Sequence, residues 1–242
     1  VDDFRGALLV HPREGQKTLR EVWPQMCSDL ASYRRLFDVD KDGLYETYPW
    51  SNSAGQEWSA RFFYFDPIPE IFRNARGRTY APDGSRAAED MQLLKTIRDA
   101  VVTDPGLQWP HTAEELYRIY YGTEDHRLET VDQTCYAYKN FCAAACLAGL
   151  LHDTTTEKLY AAMSERMRSQ MLAVMWDTAD QFFYDVKPIV HKPARVKSTT
   201  GFYVFWAGIA GRQHLPMRQH LFNPATFWTA DPLPSLPLDY EK

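Results

Sequence analysis

The sequence predicts an all-α fold, and three observations carry that expectation. Leu19, Trp23, Met26, Cys27, Leu30, Tyr33 and Phe37 recur at spacings of three and four, which places them along one face of a helix. Two long helical patterns, Thr130–Leu151 and Thr156–Trp176, are separated only by a turn around His152-Asp153-Thr154-Thr155. So short a connection predicts an antiparallel helix pair. Alternating strand patterns are scarce, with Phe182-Phe183-Tyr184-Asp185 reading as at most a small hairpin.

The elements can be justified in order along the chain. Within the first stripe, Pro24 either opens the helix or kinks it, because proline lacks the N–H that a helix interior uses. Further helical patterns run over Arg86–Val102 and Thr112–Tyr121. Between the helices lie segments rich in proline, glycine and aromatics, Asp66–Ser85 and Tyr184–Thr200, which read as working loops on a helical scaffold. The basic stretch Lys187–Lys197 reads as a solvated loop in preference to a phosphate grip, since no aromatic interleaving accompanies it. Cys135, Cys142 and Cys146 share the Thr130–Leu151 helix without disulfide geometry and read as small core residues.

At 242 residues the chain is long enough to bury a sizeable core, and one domain spanning 1–242 is expected. A formal net charge of -5 offers no electrostatic footprint for nucleic acid or an anionic membrane surface. No apolar run approaches the ~18 residues of a membrane-spanning helix, and the first residues show no basic segment followed by an apolar one. Neutral ligands such as sugars remain, and the seven tryptophans and fourteen tyrosines supply more flat surface than a core alone uses.

Asp38-Val-Asp-Lys-Asp-Gly-Leu-Tyr-Glu46 places acids at alternate positions before a glycine. Oxygen ligands at that spacing can wrap a hard cation, so Asp38, Asp40 and Asp42 are candidate ligands of a structural Ca²⁺. The loop is not an EF-hand, because Pro49 stands where the bidentate glutamate belongs. The competing reading is a helix-ending turn whose aspartates bond backbone N–H groups while Gly43 supplies a positive φ.

Trp50-Ser-Asn-Ser-Ala-Gly-Gln-Glu-Trp-Ser-Ala-Arg-Phe62 sets one carboxylate, Glu57, among tryptophans and small residues. Glycoside cleavage needs an acid whose pKa apolar surroundings raise, together with a second carboxylate that activates water. Glu57 beside Trp58 meets the local requirement, Gly55 permits close approach, and Trp50 or Trp58 offers a face for a sugar ring. The competing reading is an exposed loop glutamate.

Gly55–Phe62 resembles the segment that carries the general acid in the six-hairpin, (α/α)6-barrel glycosidases, the group of trehalases, processing α-glucosidases, and glucosylglycerate and mannosylglycerate hydrolases. Glu57 stands where most of those relatives carry aspartate. The likeness continues in order through Asp40–Leu44 with Pro49-Trp50, Val131-Asp132, Leu172–Asp185, Gly201–Ala210 and His220–Ser235.

The resemblance implies an (α/α)6 toroid, here an incomplete portion of the barrel, and an inverting glycoside hydrolase with Glu57 as proton donor. Trp50, Trp58, Arg61, Asp132 and Trp206 would bind a carbohydrate substrate, with no cofactor required beyond the candidate Ca²⁺. Each has a plainer reading: Asp132 as a helix N-cap, Arg61 as the partner of a neighbouring carboxylate, Trp206 and Trp228 as core. The family's general base lies past the segment that matches His220–Ser235, so the remainder of the barrel or another chain is expected to complete the site. A helical carbohydrate-binding or scaffolding protein without turnover is the alternative.

Overall fold

The computed structural model describes residues 12–47, 60–64, 127–230 and 234–239. Backbone contacts divide the chain into two compact units, Val1–Thr47 with Arg127–Lys242, and Tyr48–His126. The helical patterns over Arg86–Val102 and Thr112–Tyr121 and the loop Asp66–Ser85 lie outside the described residues.

Helix α1 spans Pro12–Phe37. Pro12 opens it, at the position where a missing N–H costs nothing, and the helix runs through Pro24, so Pro24 does not start it. Its partly buried stripe of Trp23, Cys27, Leu30, Tyr33 and Phe37 packs on Tyr45, Ala137, Phe141, Ala144, Tyr160 and Met167.

Helices α2 (Val131–Leu150) and α3 (Thr154–Gln170) form the expected pair. The turn between them closes when Asp153 caps α3, its side chain accepting the Thr156 N–H at 3.1 Å. The end of α3 widens into a π-helical turn at Met171–Met175, which buries both terminal methionines. A hairpin follows, β3 (Trp176–Asp177) against β4 (Phe182–Phe183), where the aromatic run predicted one. Helix α4 (Tyr203–Ala207) and helix α5 (Arg218–Leu221) are short. A second core gathers Val131, Cys135, Met171, Met175, Phe182, Phe183, Val204, Met217 and Phe227.

Two strands join distant parts of the sequence. β1 (Glu46–Thr47) pairs antiparallel with β2 (Leu128–Glu129), Glu46 opposite Glu129 and Thr47 opposite Leu128. Glu129 also exchanges backbone bonds with Val186, at 2.9 and 3.0 Å, and Val186 bridges to Pro193. The 187–193 turn is therefore sewn to β2 through its backbone. Lys192 within it and Arg195 just after it are exposed, while Pro188, Ala194 and Val196 are buried and Arg195 pairs with Asp177 and Asp180.

The cysteine reading needs one correction. Cys135 is buried and Cys142 half-buried, but Cys146 is exposed, because it falls on the face of α2 away from both cores. All four cysteines are free thiols.

Candidate functional site

Trp50, Glu57 and Trp58 lie outside the described residues. Arg61 is described: it sits in the 3-10 turn Ala60–Phe63, fully buried, with its guanidinium carbon 4.9 Å from the centre of the Phe62 ring. A buried arginine with a face-on aromatic neighbour is held firmly, which suits either a structural or a substrate-positioning group.

Asp132 is buried in the first turn of α2, where its Oδ1 accepts the Gln133 N–H at 3.0 Å. It is not the N-cap. Thr130 holds that position without capping through its side chain, and the Val131 N–H is taken instead by Asp185 Oδ1 at 2.8 Å. The charge of Asp132 is felt by Tyr33, whose hydroxyl bonds Gln133 Oε1 at 2.5 Å and is pushed up to about 12, first by burial and then by Asp132. One turn along α2, Tyr136 leans on Trp206 with ring centres 5.7 Å apart and on Tyr203 at 5.8 Å. Trp206 is 55% exposed, which removes it from the core, and Trp228 is exposed as well. Lys139 approaches the Trp206 ring at 5.5 Å. A buried carboxylate thus lies one turn along α2 from the tyrosine that leans on an exposed tryptophan.

The acidic loop after α1 forms the helix-ending turn, with its aspartates accepting from backbone N–H groups. Asp38 Oδ1 accepts the Gly43 N–H at 3.0 Å, and its Oδ2 faces Arg34 Nε at 3.4 Å. Asp40 Oδ1 accepts from Asp42 N at 3.2 Å and Asp42 Oδ1 from Leu44 N at 2.7 Å. Gly43 has φ +98, the left-handed backbone anticipated for it. Arg166 and Gln170 of α3 bind the loop from outside, through the carbonyls of Lys41 and Asp42 at 2.6 and 3.4 Å.

Asp40 and Asp42, but not Asp38, meet two residues the loop spacing did not announce, Glu129 of β2 and His191 of the 187–193 turn. One ligand-type atom from each of the four lies within 4.8 Å of the others. His191 Nε2 is 2.9 Å from Asp42 Oδ2 and 3.6 Å from Glu129 Oε2. Glu129 is fully buried; burial first, then the charges of Asp42, Asp40 and Glu46, pushes it up to about 9. Glu46 rises to about 7 for the same leading reason, although its Oε2 accepts the Val39 N–H at 2.8 Å. Asp42 is also raised, by burial before the charge of Asp40. Among the described residues no helix is long and apolar enough to cross a membrane.

The profile of the mannosylglycerate hydrolase MGH1-like glycoside hydrolase domain matches residues 3–242. The chain belongs to this family. Within the wider group of such glycosidases, a 75-residue stretch is 28% identical to the cytosolic neutral trehalase of Saccharomyces cerevisiae, covering 31% of this chain and 10% of the trehalase. The GH63 mannosylglycerate hydrolase of Thermus thermophilus, solved with Tris, superposes with a TM-score of 0.60 at 17% identity, over 95% of this chain and 54% of that one. With glucose bound, the same enzyme gives 0.54 at 17% identity, over 87% of this chain and 46% of that one. An uncharacterized conserved protein from the same organism gives 0.57 at 18% identity, over 95% and 52%.

These likenesses place the chain in the six-hairpin glycosidases, with a mostly helical fold like that of the (α/α)6 enzymes. The chain spans about half the length of the solved relatives.

Proposed function

We propose that this chain is the acid-bearing portion of an inverting glycoside hydrolase, with Glu57 as the general acid. The observation that carries the reading is the family match across residues 3–242, which includes the segment Gly55–Phe62 with its single carboxylate between glycine and tryptophan. The relatives' names include a mannosylglycerate hydrolase and a trehalase, and we take the substrate to be a small glycoside of that kind.

In this mechanism Glu57 delivers its proton to the glycosidic oxygen as the bond to the anomeric carbon breaks. A second carboxylate deprotonates a water on the opposite face of the ring, ~6.5–9.5 Å from the acid, so that the water fits between them. We assign that base to the remainder of the barrel or to another chain. Trp50 and Trp58 would hold the sugar face and Arg61 its hydroxyls; Asp132 and Trp206 are assigned to substrate binding as well.

The test is turnover of mannosylglycerate and trehalose by the full-length gene product and by its Glu57→Gln variant. Loss of the proton with retention of shape should lower the rate by ~10²–10⁴-fold, with a smaller loss for aryl glycosides whose leaving groups need no acid. Undiminished hydrolysis by Glu57→Gln removes the assignment. Quenching of tryptophan fluorescence by sugars, with no turnover of any glycoside, points instead to a binding protein.

A further inference from the structure

Between the end of α1, the middle of α2 and the second half of α3 lies a cavity of about 30 Å³ whose lining includes Arg34, Asp38, Tyr45 and Arg166. Tyr45 is buried, and its hydroxyl has no hydrogen-bond partner among the described residues. A buried polar group left in that state is costly. Nor can the residue swing away to find a partner, because Thr134 Oγ1 accepts its backbone N–H at 3.0 Å and Phe37 stacks on its ring with centres 6.4 Å apart. Burial first, then the charge of Asp38, pushes the hydroxyl well above the usual tyrosine pKa, while Arg34 acts in the opposite direction. The group is therefore a protonated donor, and it senses two of the charges that line the cavity. We propose that this cavity binds a small carboxylate anion, held by the Tyr45 hydroxyl together with the Arg34 and Arg166 guanidinium groups.

The balance of charge and of donors selects an anion over water. Two guanidinium groups face one carboxylate, Asp38, and the Gly43 N–H and Arg34 already engage both of its oxygens. Each guanidinium carries five N–H donors. Among the described residues Arg34 uses one of them, toward Asp38 at 3.4 Å, and Arg166 uses one, toward the Lys41 carbonyl at 2.6 Å. A water would answer the phenol alone, whereas a carboxylate brings two acceptor oxygens and the charge that suits an arginine.

Size and polarity narrow the ligand further. The volume holds about two waters, close to the bulk of one carboxylate group. Phe141, Met163 and Met167 complete the wall and offer apolar contact to one or two attached carbons. A short aliphatic monocarboxylate fits this lining better than sulfate, which has two charges and no apolar part. Once bound, it would bridge Arg34 at the end of α1 to Arg166 of α3 and cover the Tyr45 hydroxyl.

The test titrates the full-length gene product with sodium acetate and sodium propionate by calorimetry, with NaCl balancing the ionic strength and the melting temperature followed in parallel. One carboxylate per chain is expected, half-saturating at about 1 mM, with a melting temperature that rises as the site fills. Tyr45→Phe keeps the ring and removes the unpartnered hydroxyl. It should weaken acetate by ~10-fold or more, while the ligand-free variant melts at or above the wild-type temperature. Arg166→Met, at an exposed position of α3, should also weaken acetate by ~10-fold. Three results would overturn the proposal: no saturable response to either carboxylate beyond that to NaCl, sulfate binding tighter than acetate, or acetate affinity undiminished in both variants. The first of these would assign the cavity to water.

Discussion

Asp185 caps helix α2 from 54 positions away: its Oδ1 accepts the Val131 backbone N–H at 2.8 Å, and both residues are buried. A cap supplied by a neighbour in sequence stabilises one helix; this one also holds the segment after β4 against the start of α2. Removing it leaves a buried N–H without an acceptor. Asp185→Ala should therefore cost about 1–3 kcal/mol of stability, and Asp185→Asn, which keeps an acceptor oxygen, less. Urea denaturation of the two variants gives the comparison; equal losses would show that the charge, and not the hydrogen bond, matters.

Gly201 lies against the β4 hairpin so closely that an added Cβ would meet two Phe182 ring carbons at 2.7 and 2.8 Å and the Phe183 carbonyl oxygen at 2.9 Å. Neither the ring nor the backbone can withdraw without disturbing the core that Phe182 shares with Phe202 and Tyr184. Gly201→Ala should lower stability by about 1–3 kcal/mol, read as a drop in melting temperature. A neutral outcome would mean that the hairpin can shift outward.

His214 is buried between Trp176 and Phe183, and its Nδ1 accepts the Gly211 N–H at 2.9 Å, a bond that only the unprotonated nitrogen can make. Burial holds its pKa below the usual histidine value, with Arg168 acting in the same direction. A depressed folded pKa gives stability that is present above the unfolded value of ~6.5 and is lost as pH falls through the folded value. The melting temperature of the wild type relative to His214→Asn should thus decline below pH ~6.5 and stay level above it. Taking the difference between the two proteins cancels other titrating groups. An NMR midpoint for His214 at or above the ordinary histidine value would contradict the prediction.

Trp206 stands half in solvent beside Tyr203 and Tyr136, the latter one turn along α2 from Asp132. Trp206→Ala should change stability by no more than ~0.5–1 kcal/mol, since so much of the ring is already hydrated. If the ring covers a sugar, the same change should weaken carbohydrate binding by about tenfold, the equivalent of ~1.4 kcal/mol of stacking. A large fall in melting temperature with unaltered binding would return Trp206 to a structural role.

What the sequence disclosed, and what it concealed, divides along the range of the interactions involved. Helices α1, α2 and α3, the turn at Asp153 and the Phe182 hairpin all rest on patterns repeating within a few residues, and all were legible. The spacing of Asp38, Asp40 and Asp42 likewise announced an acidic loop. It could not announce that Asp38 would turn inward to Gly43 and Arg34 while Glu129 and His191 took up places beside Asp40 and Asp42. His191 and Asp42 are 149 positions apart, and no local spacing links them. The true cap of α2 was hidden for the same reason: Asp132 stands at the helix start in sequence, but Asp185 reaches it in space. Trp206 shows the opposite limit, since its sequence neighbours are apolar and only the packing of α4 on α2 reveals that its ring faces outward.

The pairing of Thr47 with Leu128 has a consequence for how the molecule comes to be made. The segment 48–126, which carries Glu57, is thus inserted in sequence between two strands that pair with each other. Strand β1 can find its partner only after the whole insertion has left the ribosome, which makes this small ladder a late event in folding, slowed by the entropy of closing a long loop. The same geometry makes the insertion a removable cassette. A two-residue Asn-Gly turn joining Thr47 to Leu128 would complete an ordinary hairpin, and the segment that carries Glu57 could be exchanged between relatives without recutting helices α1, α2 and α3.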